Sequence, residues 1–134
     1  MIVVDTNVIA YLWLPGRFTG GAEALVQRDP EWAAPLLWRS EFRNVLAGSL
    51  RRGDVDLDTA NQLAVRAETH LRGREFAVGS AEVLARVEGS RCSAYDCEFV
   101  VLAQELGVPL VTTDRRILAD FPQTAVALTA ASAD

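Results

Sequence analysis

The chain has 134 residues, half of them hydrophobic, which predicts one globular domain with an apolar core and excludes a disordered protein. Its net charge of −5 does not suggest a protein that binds nucleic acid through its overall charge, and no apolar run approaches the roughly 20 residues of a membrane span. All thirteen basic side chains are arginine, which excludes functions that need a lysine beside a phosphate, such as Walker A ATPases and kinases.

The first half of the chain predicts strands that alternate with helices. An apolar run that ends at a polar residue predicts a buried parallel strand at 2–5, and Thr6 and Asn7 can begin the helix that follows it. Pro15 and Gly16 end that helix. The predicted elements in this half are helices over 8–13, 22–28 and 37–52, the last one ended by Gly53, and a strand over 32–35.

The second half predicts the same alternation. Asp58 is the expected N-cap of a helix over 58–71, Ser80 that of a helix reaching 88, and Gly107 ends a helix over 93–106. The other predicted elements are strands over 75–78, 108–112 and 125–128, a helical turn over 117–119 and a small-residue tail over 129–134 that should fray. This alternation is typical of an α/β fold with a parallel sheet.

Four acidic residues stand at strand ends or on predicted helices. Asp5 and Asp114 follow predicted strands, whose carboxyl ends face the ligand-binding crevice of an open α/β sheet. Asp96 falls in the first turn of a helix, where the helix dipole favours a carboxylate. Glu41 lies on a mostly apolar helix face, where burying a charge is costly unless the charge has a partner.

Each acid also has a structural interpretation when it is taken alone. Asp5 or Asp96 can be an N-cap, and Asp114 can begin a turn. Taken together, they would repel one another, since two unit charges 4 Å apart interact by about 4 kcal/mol at an effective dielectric of 20. The set therefore indicates a site for a hard cation, Mg²⁺ or Mn²⁺, and phosphodiester chemistry.

Other reactive or aromatic residues point to packing or leave alternatives open. Cys92 and Cys97 lack a zinc-ligand spacing and are expected to be reduced thiols, and nothing near His70 supports a catalytic role. Arginines near Glu41 and Asp114 can be ordinary surface charges or phosphate contacts. The three tryptophans are expected in the core rather than stacked on bases; they are Trp13, Trp32 and Trp38.

Three segments carry a family resemblance. They are Val4-Asp5-Thr6-Asn7-Val8, Ser93-Ala94-Tyr95-Asp96, and Leu110-Val111-Thr112-Thr113-Asp114-Arg115-Arg116-Ile117-Leu118, with Glu41 on a central helix between the first two. The pattern resembles PIN-domain ribonucleases, most of all the toxins of VapBC toxin–antitoxin pairs. It covers nearly the whole chain in order, although 53–91 matches only as generic helices.

The resemblance implies a three-layer α/β/α sandwich around a central, mostly parallel sheet, formed as a single PIN-like nuclease domain by residues 1–134. It implies that four acids are both catalytic and metal-binding: Asp5, Glu41, Asp96 and Asp114. Thr6, Asn7 and Thr112 or Thr113 match neighbours that orient the acids or bind water. Arg43 and Arg115 are added as candidate substrate contacts because arginine can hold phosphate bidentately.

The implied function is a Mg²⁺- or Mn²⁺-dependent endoribonuclease that hydrolyses RNA as the toxin of a type II toxin–antitoxin system. Its expected partners are the RNA substrate, a cognate antitoxin and a second copy in a homodimer. Alternatives are a PIN nuclease in RNA maturation and a non-catalytic PIN-like module that binds RNA or a partner. The start of the chain has no basic region and no cleavage signal, so we expect a cytoplasmic protein with no membrane partner.

Overall fold

The computed structural model describes residues 1–133, which form five strands and eight helices. The strands are β1 (Ile2–Val4), β2 (Trp32–Pro35), β3 (Glu75–Phe76), β4 (Leu110–Thr112) and β5 (Ala125–Ala127). The helices are α1 (Thr6–Trp13), α2 (Thr19–Arg28), α3 (Leu37–Arg52), α4 (Leu57–Leu71), α5 (Ser80–Glu88), α6 (Ala94–Leu106), α7 (Arg115–Asp120) and α8 (Leu128–Ala131). No helix of this part of the chain is long and apolar enough to cross a membrane.

The sheet is parallel throughout, with the strand order β3-β2-β1-β4-β5. Val3 of the central strand β1 is in register with Ala33 of β2 on one side and Leu110 of β4 on the other. The chain runs outward from β1 to β3 and then crosses to the opposite side for β4 and β5. The strand order therefore reverses between β1 and β4, the position where open α/β sheets bind their ligands.

Helices cover both faces of the sheet. Helices α1 to α4 pack together on one face, and α6 lies across β1, β2 and β4 on the other with α5 beside it. Covering both faces explains why every residue of β1 is buried. Trp32 and Trp38 are fully buried, as predicted for core residues. These features confirm the predicted α/β/α sandwich with a parallel sheet.

Two glycines end long helices as predicted. Gly53 closes α3 with φ of 77°, and Gly107 closes α6 with φ of 67°. A side chain with a Cβ is disfavoured in this left-handed conformation, so glycine gives a sharp helix end.

Several predicted boundaries are wrong by a few residues. Asp56 and not Asp58 caps α4, because the Asp56 carboxylate accepts a hydrogen bond from the Thr59 amide at 2.7 Å. Gly79 and not Ser80 is the N-cap residue of α5. The tail predicted to fray begins with helix α8, which packs on α2; Asp134 lies outside the described residues. Other differences shorten the strands predicted over 2–5, 75–78, 108–112 and 125–128. They also lengthen the helices predicted over 8–13 and 22–28 and the helical turn over 117–119.

A polar network joins α3 to β3 and α4. Arg39 donates to both carboxylate oxygens of Glu75, at 2.6 and 2.8 Å, and also pairs with Glu68. The Trp38 indole donates to Glu75 at 2.7 Å. These hydrogen bonds, those from Arg39 first, hold the pKa of Glu75 below its usual range. Arg39 is thus a structural residue and not one of the phosphate contacts considered near Glu41.

We expect Glu75→Gln to lower the free energy of unfolding by about 1–2 kcal/mol at pH 7, because Arg39 and Trp38 lose a charged acceptor. Since the Glu75 pKa is lowered in the folded protein, its contribution is complete above the ordinary glutamate pKa of about 4.3. The contribution is lost as the pH falls through the lowered pKa. Urea denaturation from neutral to acid pH should therefore show a difference from wild type that shrinks below about pH 4.

Asp54→Asn is the control, because Asp54 pairs with Arg52 at the surface and its side chain is 59% exposed, against 13% for Glu75. An exposed pair contributes little to stability. Equal losses in the two variants, or a Glu75→Gln loss that does not change with pH, would contradict the prediction.

Candidate active site

Asp5 is a buried carboxylate at the end of the central strand. One of its oxygens, Oδ1, accepts a hydrogen bond from the Val8 amide at 3.0 Å and so caps helix α1. The other, Oδ2, accepts a hydrogen bond from the Thr112 hydroxyl at the end of β4. The residue is only 7% exposed. The N-cap interpretation is therefore correct for one oxygen, and the second oxygen faces the neighbouring strand.

Burial raises the pKa of Asp5 to about 6, because a charged carboxylate is poorly solvated there. The hydrogen bonds from Thr112 and Val8 oppose this rise, and the negative charges of Asp114 and Asp96 add to it. Asp96 and Asp114 also line one cavity, and the Thr112 hydroxyl hydrogen-bonds both Asp5 and the Asp114 amide. The predicted convergence of Asp5, Asp96 and Asp114 is present in the structure.

Thr112 connects Asp5 to Asp114. Its hydroxyl donates to Asp5 and accepts from the Asp114 amide at 2.9 Å. The Asp114 Oδ1 atom in turn accepts from the amides of Arg116 and Ile117, both at 2.9 Å, and caps α7. Both strand-end aspartates are therefore fixed by a helix N-terminus and by one shared threonine.

Glu41 reaches the same edge of the sheet from helix α3. It is half-buried, and the hydroxyl of Thr6 donates to its Oε1 at 2.7 Å. Burial raises the pKa of Glu41, and the negative charge of Asp96 raises it further. Thr6 is the partner that the apolar face of α3 led us to expect. All four predicted acids thus belong to one electrostatic cluster.

Two open cavities flank the cluster. The first, here called the Tyr95 pocket, has a volume of about 400 Å³ and is lined by Thr6, Asn7, Leu37, Ser40, Glu41, Asn44, Val45 and Tyr95. The second, here called the arginine basin, has a volume of about 560 Å³ and is lined by Arg91, Asp96, Asp114, Arg115 and Arg116. The acids therefore divide a mostly neutral region from a region rich in arginine.

The structure separates the weaker predicted residues into two groups. Thr6, Asn7, Thr112 and Arg115 contact the acids or line a cavity that contains one. Thr113 turns away and hydrogen-bonds the Tyr11 hydroxyl at 3.1 Å. Arg43 is exposed and lines neither cavity, since it is two residues, or about 200° of helix rotation, from Glu41.

Two residues near the acids were not predicted. Arg91 lines the arginine basin, where its backbone amide and guanidinium both donate to Asp120, with Nη2 at 2.7 Å from Oδ1. Glu98 is a fifth acid whose pKa is raised by burial and then by the charge of Glu41. Glu98 is two residues after Asp96, so the helix period gives no signal that both approach the site, and nothing local in the sequence places Arg91 beside Asp120.

The donors of this cluster suit a hard divalent cation. They are carboxylate and hydroxyl oxygens, the atoms that Mg²⁺ and Mn²⁺ prefer. Within residues 1–133, no three acidic, histidine or cysteine side chains lie close enough together to hold an ion simultaneously. Mg²⁺ is commonly bound by one or two carboxylates and keeps several waters, so the arrangement fits that mode and not an all-protein cage.

Residues 2–124 match the PIN domain family. The chain belongs to the PIN-domain family. The matched residues include all four predicted acids. The protein is similar to the "Ribonuclease VapC3" of Pyrobaculum aerophilum, with 28% identity over 124 residues that cover 90% of this chain and 95% of that protein.

Solved structures share the fold of this PIN domain. PAE2754 from Pyrobaculum aerophilum superposes with a TM-score of 0.77 at 21% identity, covering 98% of this chain and 92% of that one. A chain of a toxin–antitoxin complex from Klebsiella pneumoniae superposes with a TM-score of 0.71 at 17% identity, covering 96% and 98%. The expected PIN-like fold is therefore confirmed along the length of the chain.

We expect Asp5→Asn to raise the free energy of unfolding at neutral pH in the presence of EDTA. A carboxyl group whose pKa is raised in the folded protein loses stabilisation as the pH rises from its ordinary pKa to about 6. The neutral amide avoids this loss and can still cap α1. Urea denaturation should show a gain of about 1–3 kcal/mol above pH 6 that nearly disappears at about pH 4.

Asp56→Asn is the matched control because Asp56 also caps a helix, α4, but is exposed. The pKa of Asp56 is lowered, mainly because its carboxylate accepts a hydrogen bond from the Thr59 amide. The same chemical change should give no gain there. Stabilisation of both variants at neutral pH, or of neither, would show that the buried charge of Asp5 is not the cause.

Proposed function

We propose that this PIN-domain protein is an endoribonuclease that hydrolyses RNA with the help of Mg²⁺ or Mn²⁺ and acts as the toxin of a type II toxin–antitoxin pair. The observation that carries the proposal is the cluster of four carboxylates at the switch point of a PIN-domain sheet. The similarity to a protein named Ribonuclease VapC3 and the fold shared with a chain of a toxin–antitoxin complex support it.

Four acids are proposed to hold the metal, one or two of them directly and the others through bound water: Asp5, Glu41, Asp96 and Asp114. When bound, such an ion lowers the pKa of a coordinated water and neutralises charge on the phosphate. The chain itself keeps the acids in position: Thr112 and the N-termini of α1 and α7 fix the two strand-end aspartates, and Thr6 fixes Glu41. Among residues 1–133, no histidine or cysteine lines either cavity, and the proposed nucleophile is a water molecule.

The arginine basin is the proposed binding site for the RNA backbone. Arg115 and Arg116 are exposed beside Asp114, and Arg91 is held there by Asp120. Guanidinium groups bind phosphate oxygens bidentately, which offsets the net negative charge of the protein locally. Single-stranded or looped RNA suits this open site because its backbone and bases are accessible.

An antitoxin is the proposed protein partner. A segment of it lying across the acidic cleft could place an arginine among the carboxylates and compete with the metal.

We also propose a homodimer and a cytoplasmic location. Exposed apolar side chains on α4, Leu57 at 63% and Val65 at 62%, offer surface that a second copy could cover.

We expect Asp96→Asn to reduce Mg²⁺-dependent cleavage of single-stranded RNA by more than about 100-fold without unfolding the protein, because it removes one carboxylate from the proposed metal site. Asp58→Asn is the matched control: Asp58 is also an acid in the first turn of a helix, but it is exposed and lines neither cavity. Cleavage is measured by gel electrophoresis with Mg²⁺, with Mn²⁺ and with EDTA, and folding by circular dichroism.

Cleavage that persists in Asp96→Asn, or that is unaffected by EDTA, would contradict a metal-dependent nuclease. RNA that is bound by the wild-type protein but stays intact with both metals would favour the non-catalytic PIN-like module. If the protein cleaves RNA and its expression stops cell growth, co-expression of the neighbouring gene should restore growth when the protein is a toxin. No such rescue is expected for an RNA-maturation enzyme.

A further inference from the structure

We propose that the Tyr95 pocket binds one unpaired nucleobase of the RNA next to the phosphate that is cleaved, with the base stacked on Tyr95 and its edge contacted by Asn44. This inference rests on the proposed function and adds a specificity-determining subsite to it. The ligand that the pocket takes is a neutral, planar, heteroaromatic ring.

The distribution of charge around the acids is the first argument. Within the described part of the chain, three arginines line the arginine basin, whereas no cationic side chain lines the Tyr95 pocket and Glu41 is its one charged group. No side chain that lines this pocket offsets the charge of Glu41, so a phosphate there would depend on the proposed metal alone. A neutral part of the same nucleotide chain has no such requirement. The two cavities therefore suit the two chemical parts of RNA.

The lining of the pocket is the second argument. Its volume of about 400 Å³ lies near the lower end of the range for small-ligand sites, roughly 300–1,000 Å³. Leu37 and Val45 provide apolar walls, and Asn44 and Ser40 provide neutral polar groups. Apolar walls with a few hydrogen-bonding groups are typical of sites that bind a flat organic ring.

Tyr95 supplies the third argument. It is a large aromatic residue that is 61% exposed, and it immediately precedes Asp96 at the start of α6. Bases of single-stranded RNA stack on such exposed rings whatever their sequence, because every base has a π-face. A base stacked on Tyr95 would therefore lie beside Asp96, the next residue in the chain and a proposed metal-binding acid. Stacking there would fix the position of the adjoining phosphate over the cluster.

The geometry of α3 is the fourth argument. Ser40 and Asn44 are four residues apart and lie on one helix face, next to Glu41 and Val45. An asparagine amide carries both a donor and an acceptor, so it can pair with a base edge that offers the complementary groups. The side chain of Asn44 is exposed and available for that contact. Stacking would then give affinity, and Asn44 would give base preference.

The test uses single-stranded oligoribonucleotides that contain one cleavage site, together with copies in which the nucleotide on either side is abasic. We expect an abasic residue at one of these positions to raise KM for the wild-type protein on the order of tenfold, the usual effect of losing one stacked base. Tyr95→Ala should raise KM similarly and be insensitive to the abasic change. Tyr95→Phe keeps the ring and should keep the abasic effect.

Leu84→Ala is the matched control, since Leu84 is also 61% exposed but lies on α5 outside the pocket. Asn44→Ala is compared with it on substrates that differ only in the base at the sensitive position. We expect Asn44→Ala to reduce the preference among the four bases and Leu84→Ala to leave it unchanged.

Binding separates this proposal from the proposed function. In the Asp96→Asn background, the affinity for the intact oligonucleotide should fall on the order of tenfold when Tyr95→Ala is added and not when Leu84→Ala is added. That result would support the subsite even if the wild-type protein cleaved no substrate. Equal effects of the two alanine substitutions, or an affinity unchanged by abasic nucleotides, would overturn it. Loss of antitoxin binding alone in Tyr95→Ala would overturn it as well and assign the pocket to a protein.

Discussion

The site depends on the burial of one negative charge at the end of the central strand. Asp5 follows a strand with neighbours on both sides, so its carboxylate cannot move into solvent. One helix amide and one threonine hydroxyl compensate for part of the lost hydration, while two nearby aspartates act in the opposite direction. A cation bound by one or two of these carboxylates and by water would offset part of their combined negative charge. The fold thus concentrates negative charge at this edge of the sheet, and the proposed metal would neutralise part of it.

Much of the fold was predictable because its main signals are local. Short apolar runs predicted the strands of the sheet, and glycines marked the ends of α3 and α6. The wrong boundaries occurred where neighbouring residues have similar side chains, or where contacts with residues distant in sequence determine the structure. Asp54, Asp56 and Asp58 can all cap a helix, and only packing selects Asp56. The small residues of the tail over 129–134 predicted fraying, but 129–131 belong to helix α8, which is anchored by the buried Leu128 and packs on α2.

The candidate site was predictable in its acids and less so in its supporting residues. Strand ends and a helix start identify carboxylates that the parallel topology brings together. The choice between Thr112 and Thr113 depends on which of the two side chains faces β1. A shift of one residue in strand register would exchange them. Arg43 was included because it is near Glu41 in sequence, but proximity in sequence is not proximity on a helix surface. Arg91 reaches the site through a contact with Asp120 that no local pattern encodes.

The pairing of β1 with β4 also has a consequence for the time at which the site comes into existence. Thr112, the hydrogen-bond partner of Asp5, is synthesised 107 positions after it. A growing polypeptide that ends before β4 therefore contains the first acid without its threonine or the last of the four carboxylates. Domains fold largely as units during translation. The topology thus delays assembly of the acidic cluster until β4 and Asp114 have been synthesised, which would protect a cell from its own nascent nuclease.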